Sequence, residues 1–131
     1  DAIMAIFGVP LANEKQALDA YKCCLDMRKK LTELNKELEA ENLPSIKFGI
    51  GLHTGNVLAG NIGSNSRMEY TVIGDTVNTA SRIESLCKNY DTDLLISGSS
   101  AELLKDTDIK LQFVDEAAVR GKTEKVKLYT S

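Results

Sequence analysis

Apolar positions return along this chain with two periods, and the change between them marks its elements. From Ala17 onward, Leu18, Tyr21, Cys24, Leu25, Leu31, Leu34 and Leu38 recur every three or four residues, the spacing that puts side chains on one face of an α-helix. The pattern predicts a long amphipathic helix over residues 14–41. Asn13 and Gln16 open it like a capping box, and Leu43-Pro44 closes it. Lys29, Lys30, Glu33, Lys36, Glu37 and Glu39 fill its polar side as a solvated face laced with weak ion pairs. At Ile46 the period becomes two: Ile46, Phe48, Ile50 and Leu52 alternate with Lys47, Gly49, Gly51 and His53. This is a strand with one apolar face. Its other face carries two glycines, which leave room for another backbone or a ligand to come close.

Ala2 to Phe7 is an apolar run closed by Gly8 and Pro10 and reads as a strand. It starts without a lead-in turn or an earlier strand to pair with, so the chain is expected to lack the N-terminal part of its domain. After Thr54-Gly55, strands are expected over Val57–Ile62 and Met68–Ile73, separated by a polar loop. A helix follows with Asp75 or Thr76 as its N-cap. Val77, Ala80, Ile83, Cys87 and Tyr90 form its inner stripe, and Asn78, Arg82, Ser85 and Asn89 the opposite one. Leu94–Ser97 reads as a short strand, Ser99–Leu104 as a helical turn, and Lys110–Asp115 and Val126–Thr130 as late strands around an Arg120-Gly121-Lys122 loop. The order β-α-β-β-β-α-β-β-β, rich in hairpins, predicts an α+β domain with helices on one face of a mostly antiparallel sheet.

Composition narrows the chemistry. The 131 residues suit one domain, and 43% hydrophobic content suffices for a core. A net charge of −3 argues against a nucleic-acid surface. No apolar stretch approaches membrane-spanning length, so no membrane contact is expected of this domain. Cys23, Cys24 and Cys87 fit neither a disulfide framework nor a metal-ligand spacing, which points to reduced thiols and a cytoplasmic setting. His53 is the one histidine, and nothing near it looks like a nucleophile elbow. It reads as a strand-end structural residue, Asp75 as a helix cap, and Glu69 as a strand-surface charge.

Asn78 and Arg82 stand one helical turn apart, away from the inner stripe. An amide and a planar cation on one face suit a ribose and a phosphate, although the same spacing also fits a solvated helix face. Their surroundings are more specific. Gly49–Gly63 (GIGLHTGNVLAGNIG) followed by Arg67–Arg82 (RMEYTVIGDTVNTASR) closely resembles the class III nucleotidyl cyclase catalytic domain. Residues 1–8 resemble the family's strand after its second metal-binding aspartate, and Val119–Lys122 its late phosphate-contacting loop. The resemblance spans residues 1–131 and implies the ferredoxin-like nucleotidyl cyclase fold, N-terminally truncated: a first strand, helices and the first metal aspartate would precede residue 1.

In this family the 3′-hydroxyl of a nucleoside triphosphate attacks its own α-phosphorus and expels pyrophosphate, with two divalent ions (Mg2+ or Mn2+) held by two aspartates. Carried over residue by residue, the resemblance makes Asp1 the second metal ligand and Asn78 the ribose contact. Arg82 becomes the arginine that stabilises phosphate charge in the transition state, and Arg120 and Lys122 a triphosphate clamp. Arg120 stands where many members have lysine. Thr71, with the Val72 backbone, would read the base. Threonine here is similar to the subgroup of bicarbonate-responsive adenylyl cyclases, so ATP is the implied substrate, cyclic AMP the product and bicarbonate a possible regulator. The family's sites lie between head-to-tail domains, which implies a homodimer with shared active sites. The alternatives are a guanylate cyclase, or a degenerate or inactive piece that dimerises as a regulatory module. A diguanylate cyclase is disfavoured because its Gly-Gly-Asp/Glu-Glu-Phe signature is missing. The isolated 131-residue piece is expected to be inactive.

Overall fold

Leu94-Leu95-Ile96-Ser97 is the most deeply buried stretch of the chain, and the fold is arranged around it. The structure is a computed structural model that describes residues 2–131. Its elements are α1 (Gln16–Ala40), β1 (Ile50–Leu52), β2 (Leu58–Ser64), β3 (Arg67–Ile73), α2 (Asp75–Ser85), β4 (Leu94–Ser97), α3 (Gly98–Leu103), β5 (Gln112–Ala117) and β6 (Val126–Thr130). A 3₁₀ turn, Leu86–Tyr90, continues α2. Four strands form one sheet in the order β1-β4-β6-β5. β1 runs parallel to β4, while β4 with β6 and β5 with β6 are antiparallel. β2 and β3 pair only with each other, as an antiparallel ribbon from Leu58↔Ile73 to Ser64↔Arg67.

This is the expected α+β architecture, with mostly antiparallel pairing and helices packed on the sheet. The helices lie on both faces, however, rather than one. Leu94 and Ile96 join Ala17, Tyr21 and Cys24 of α1, whereas Leu95 turns the other way to meet Ile83 of α2, Cys87 and Leu128. A strand with period-two side chains and no polar member before Ser97 must be covered on both sides. Each such fully buried aliphatic side chain contributes roughly 1.5–3 kcal/mol relative to exposure.

Other boundaries differ for identifiable reasons. Residues 2–7 form no strand: Ile3 is 93% exposed, and among the described residues nothing lies beside this run to complete a ladder. β1 is three residues long because its register on β4 runs only from Ile50↔Leu94 to Leu52↔Ile96. Upstream, the Asn35 side chain takes the place of a neighbouring strand. Its Oδ1 accepts from the Ile46 amide at 2.8 Å and its Nδ2 donates to the Ile46 carbonyl at 2.9 Å. In α1 only Ala17, Ala20, Tyr21 and Cys24 are buried, and Leu25 and Leu34 face solvent, so the distal half of the helix extends past the core. Asn13 does not build a capping box; its Oδ1 accepts from the Lys15 amide, one residue before the helix. β5 begins at Gln112 rather than Lys110, with an irregular register between Phe113 and Asp115. Burial also pushes the Cys24 thiol up to about 11, so it stays protonated; all three cysteines are free.

The two glycines of β1 do let a backbone approach. A methyl group at Gly51 would lie 2.5 Å from the Ala80 carbonyl oxygen and 2.5 Å from the Glu84 nitrogen of α2. The absent side chain therefore sets how closely α2 lies against the sheet.

Candidate active site

β3 passes into α2 through a single residue, Gly74, whose φ of 139° is open to glycine but strained for other residues. Gly74 is itself the N-cap and no side chain caps the helix, which corrects the expectation of Asp75 or Thr76 in that role. Asp75 is the first helical residue, and its carboxylate pairs instead with Lys122 Nζ at 2.7 Å. The Thr76 hydroxyl donates to the Asn56 carbonyl at 2.6 Å, tying the helix start to the turn between β1 and β2.

Because helix positions advance by about 100° each, Asp75, Asn78 and Arg82 fall within about 60° of one another around α2. The inner face is built from Thr79, Ile83 and, one step on, Cys87; the sequence had placed Val77 and Tyr90 there, and both are half-buried. Asn78 is exposed, with Arg82 one turn beyond it. Arg82 Nη1 donates to the carbonyl of Arg120. The guanidinium lies directly over Gly121. A methyl group there would sit 2.5 Å from Arg82 Nη1, and the φ of 90° at Gly121 disfavours other residues. The loop is anchored by buried Val119, whose carbonyl accepts from the Lys122 amide at 2.9 Å.

Of the residues singled out from the sequence, Asn78, Arg82, Arg120 and Lys122 are thus gathered along α2 and the loop that follows β5. Arg120 enters through its carbonyl, and its side chain is exposed. Thr71 and Val72 lie on β3 opposite Gly60 and Ala59, Thr71 half-buried and Val72 buried. Glu69 is on the exposed part of the ribbon. Asp1 lies outside the described residues. Among the described residues no group of three or more histidine, cysteine, aspartate or glutamate side chains could hold a metal ion, and the carboxylate of Asp75 is taken by Lys122. The described residues alone do not make a metal centre.

A hydroxyl network below the loop escaped the sequence reading. His53 Nδ1 lies 2.8 Å from Ser97 Oγ, which caps α3 by accepting from the Ser100 amide; Ser99 Oγ donates to the Thr54 carbonyl, and Thr54 Oγ1 meets Ser100 Oγ at 2.7 Å. Its signal was present in Ser97-Gly98-Ser99-Ser100 directly after an apolar strand. Burial, and then the nearby Lys122 charge, lower the His53 pKa from its usual value, against an opposing pull from Asp75. The Asp75 pKa is lowered chiefly by the hydrogen bond from Lys122, with further help from the charges of Lys122, Arg82 and His53. The end of β1, the start of α2 and the 120–122 loop therefore share one electrostatic neighbourhood with a surplus of cations, suited to a polyanion.

Residues 1–130 match the family described as the adenylate and guanylate cyclase catalytic domain. The chain is 33% identical over 129 residues to adenylate cyclase 1 of Rhizobium meliloti, a match that takes in 98% of this chain and 19% of that protein. The crystal structure of the adenylyl cyclase CyaB from P. aeruginosa superposes with a TM-score of 0.84 at 33% identity, covering 94% of this chain and 63% of that one. The guanylate cyclase domain of RhGC from Catenaria anguillulae, in complex with GTP, gives 0.73 at 31% identity over 94% and 63%. The chain thus spans about a fifth of that relative and under two thirds of each of these structures. Among the described residues, no helix is long and apolar enough to cross a membrane.

Proposed function

The chain belongs to the adenylate and guanylate cyclase catalytic domain family, and on that premise we propose that its parent protein is an adenylate cyclase that converts ATP to 3′,5′-cyclic AMP and pyrophosphate. The observation that carries the reading is the seating of Arg82 against the 120–122 loop, with Asn78 exposed one turn away on the same helix face. In the reading, Asn78 hydrogen-bonds the ribose and holds the 3′-hydroxyl in line. Arg82 stabilises the charge that grows on the phosphate oxygens as the transition state forms. Arg120 and Lys122 bind the rest of the triphosphate. Positioning and fixed charge of this kind supply most of the acceleration in phosphoryl chemistry.

Thr71 and the Val72 backbone read the base. A threonine hydroxyl can accept from the adenine amino group. In this reading Asp1 supplies one of the two metal-binding aspartates of its own domain, and the isolated 131 residues are expected to turn over poorly. A second reading, GTP as substrate, is favoured by the likeness to a guanylate cyclase domain with GTP bound; a hydroxyl can also donate to a guanine carbonyl.

The test is production of cyclic AMP against cyclic GMP by the full-length protein with manganese or magnesium. Arg82→Ala is expected to lower kcat by roughly a hundredfold or more while raising KM far less, because the interaction strengthens only in the transition state. A variant as active as the parent would remove the assignment.

A further inference from the structure

Two ties cross between α2 and the loop after Val119, in opposite senses. The helix offers a carboxylate to the loop, where Asp75 Oδ2 meets Lys122 Nζ at 2.7 Å. The loop offers a carbonyl to the helix, where Arg120 accepts from Arg82. The two helix residues are about two turns apart, and Asn78 lies between them on the same face. Both ties use a cation that the proposed function assigns to the triphosphate.

We infer that Asp75 is a positioning residue: by holding the Lys122 ammonium it places that side chain beside the Asn78–Arg82 face, so that the cation is already aimed when a nucleoside triphosphate arrives. This inference rests on the reading of Lys122 as a phosphate contact.

Three observations carry it. Asp75 has no capping duty, since Gly74 is the N-cap and no side chain caps the helix. Its carboxylate is free to act on the loop alone. The backbone of the loop is held by buried Val119, whose carbonyl accepts from the Lys122 amide, but the lysine side chain reaches into exposed surroundings, where the Asp75 carboxylate is what holds its ammonium. Finally, the pairing does not use up the cation. An ammonium has three N–H donors; one directed at Asp75 leaves two for phosphate oxygens. Lysine carries a long stem with much rotamer freedom, and ordering it before the ligand arrives removes that cost from binding. The hydrogen bond from Lys122 keeps the Asp75 carboxyl below the usual carboxylate range, so the pair is intact near neutral pH.

The experiment uses the full-length protein, Mn2+ and 3′-deoxy-ATP, which lacks the attacking hydroxyl and so reports binding without turnover, alongside steady-state kinetics with ATP. Asp75→Asn is expected to weaken analogue binding and raise KM about two- to fivefold, the size of a partly exposed ion pair, with little change in kcat. Asp75→Glu should restore most of the affinity. In a Lys122→Ala background, Asp75→Asn should add no further loss, because the carboxylate acts only through the lysine. Unchanged or tighter binding by Asp75→Asn, or losses that simply add, overturn the inference while leaving Lys122 as a phosphate contact. A silent Lys122→Ala removes the phosphate reading and the inference with it.

Discussion

Gly121 matters for the atom it lacks. Arg82 reaches the Arg120 carbonyl across it, and a methyl group there would meet the guanidinium at 2.5 Å. Asn78 and Arg82 were legible from spacing as a shared helix face, whereas the two cations flanking Gly121 in its loop were singled out only by the family resemblance. What the sequence could not convey is that Asp75 belongs to that loop as well. Local spacing makes any aspartate before a helix look like a cap, and only the tertiary placement of Lys122 reassigns it. His53 shows the same limit, since its serine partner is 44 residues away. Its lowered pKa carries a sign. Between the folded value and the ordinary 6.5, the unfolded chain binds more protons than the folded one, so stability rises with pH across that window and is lost on acidification. The melting temperature is expected to fall as pH drops from about 7 to about 5, and His53→Asn should flatten that slope. An identical slope in the variant would assign the loss to other groups.

At the scale of elements, glycine in a strand was the informative signal. The alternation over Ile46–His53 placed Gly49 and Gly51 on the face opposite the apolar one, and that is where α2 lies. Strand length was not legible, because it depends on how much of a partner is available, and β4 offers β1 only three residues. Partner choice was hidden for the same reason. Period-two patterning reports which way side chains point, but not that β2 and β3 stay apart from the sheet. The β1–α2 packing gives a direct test. Gly51→Ala puts a methyl group against backbone atoms of α2 that cannot rotate aside. It is expected to cost about 1–3 kcal/mol in urea unfolding, and to lower kcat by moving the helix that carries Asn78 and Arg82. Full activity in a destabilised variant would show that the site tolerates a shifted α2.

For the molecule as a whole, the expectation of helices on one face missed the cover that β4 has on both sides, because a four-residue strand is too short for its pattern to say which helices pack on it. The ribbon leaves apolar side chains exposed on both of its faces. Leu58 is 67% and Ile73 48% exposed on one face of the ribbon, and Met68 59% and Tyr70 49% on the other. If sites are shared head to tail, neither an Asp1→Ala protein nor an Arg82→Ala protein should cyclise ATP alone. An equal mixture that exchanges subunits should recover about a quarter of the parental activity, since half of the dimers would each carry one intact site. No recovery after verified exchange would place each site within one chain.

The ribbon has a further consequence. Its ladder closes on itself, and neither β2 nor β3 shares a ladder bond with the strands around β4. The ribbon is therefore expected to behave as the shallower of two cooperative units. Its amides are expected to exchange with solvent sooner than those of β4 and β6, as hydrogen exchange would read. Thr71 and Val72 sit in the shallower unit, while Arg82 is carried by a helix packed on the deeper one. Under the proposed roles of Thr71 and Arg82, mild urea is expected to lower the ratio of cyclic AMP to cyclic GMP formed before it lowers total turnover.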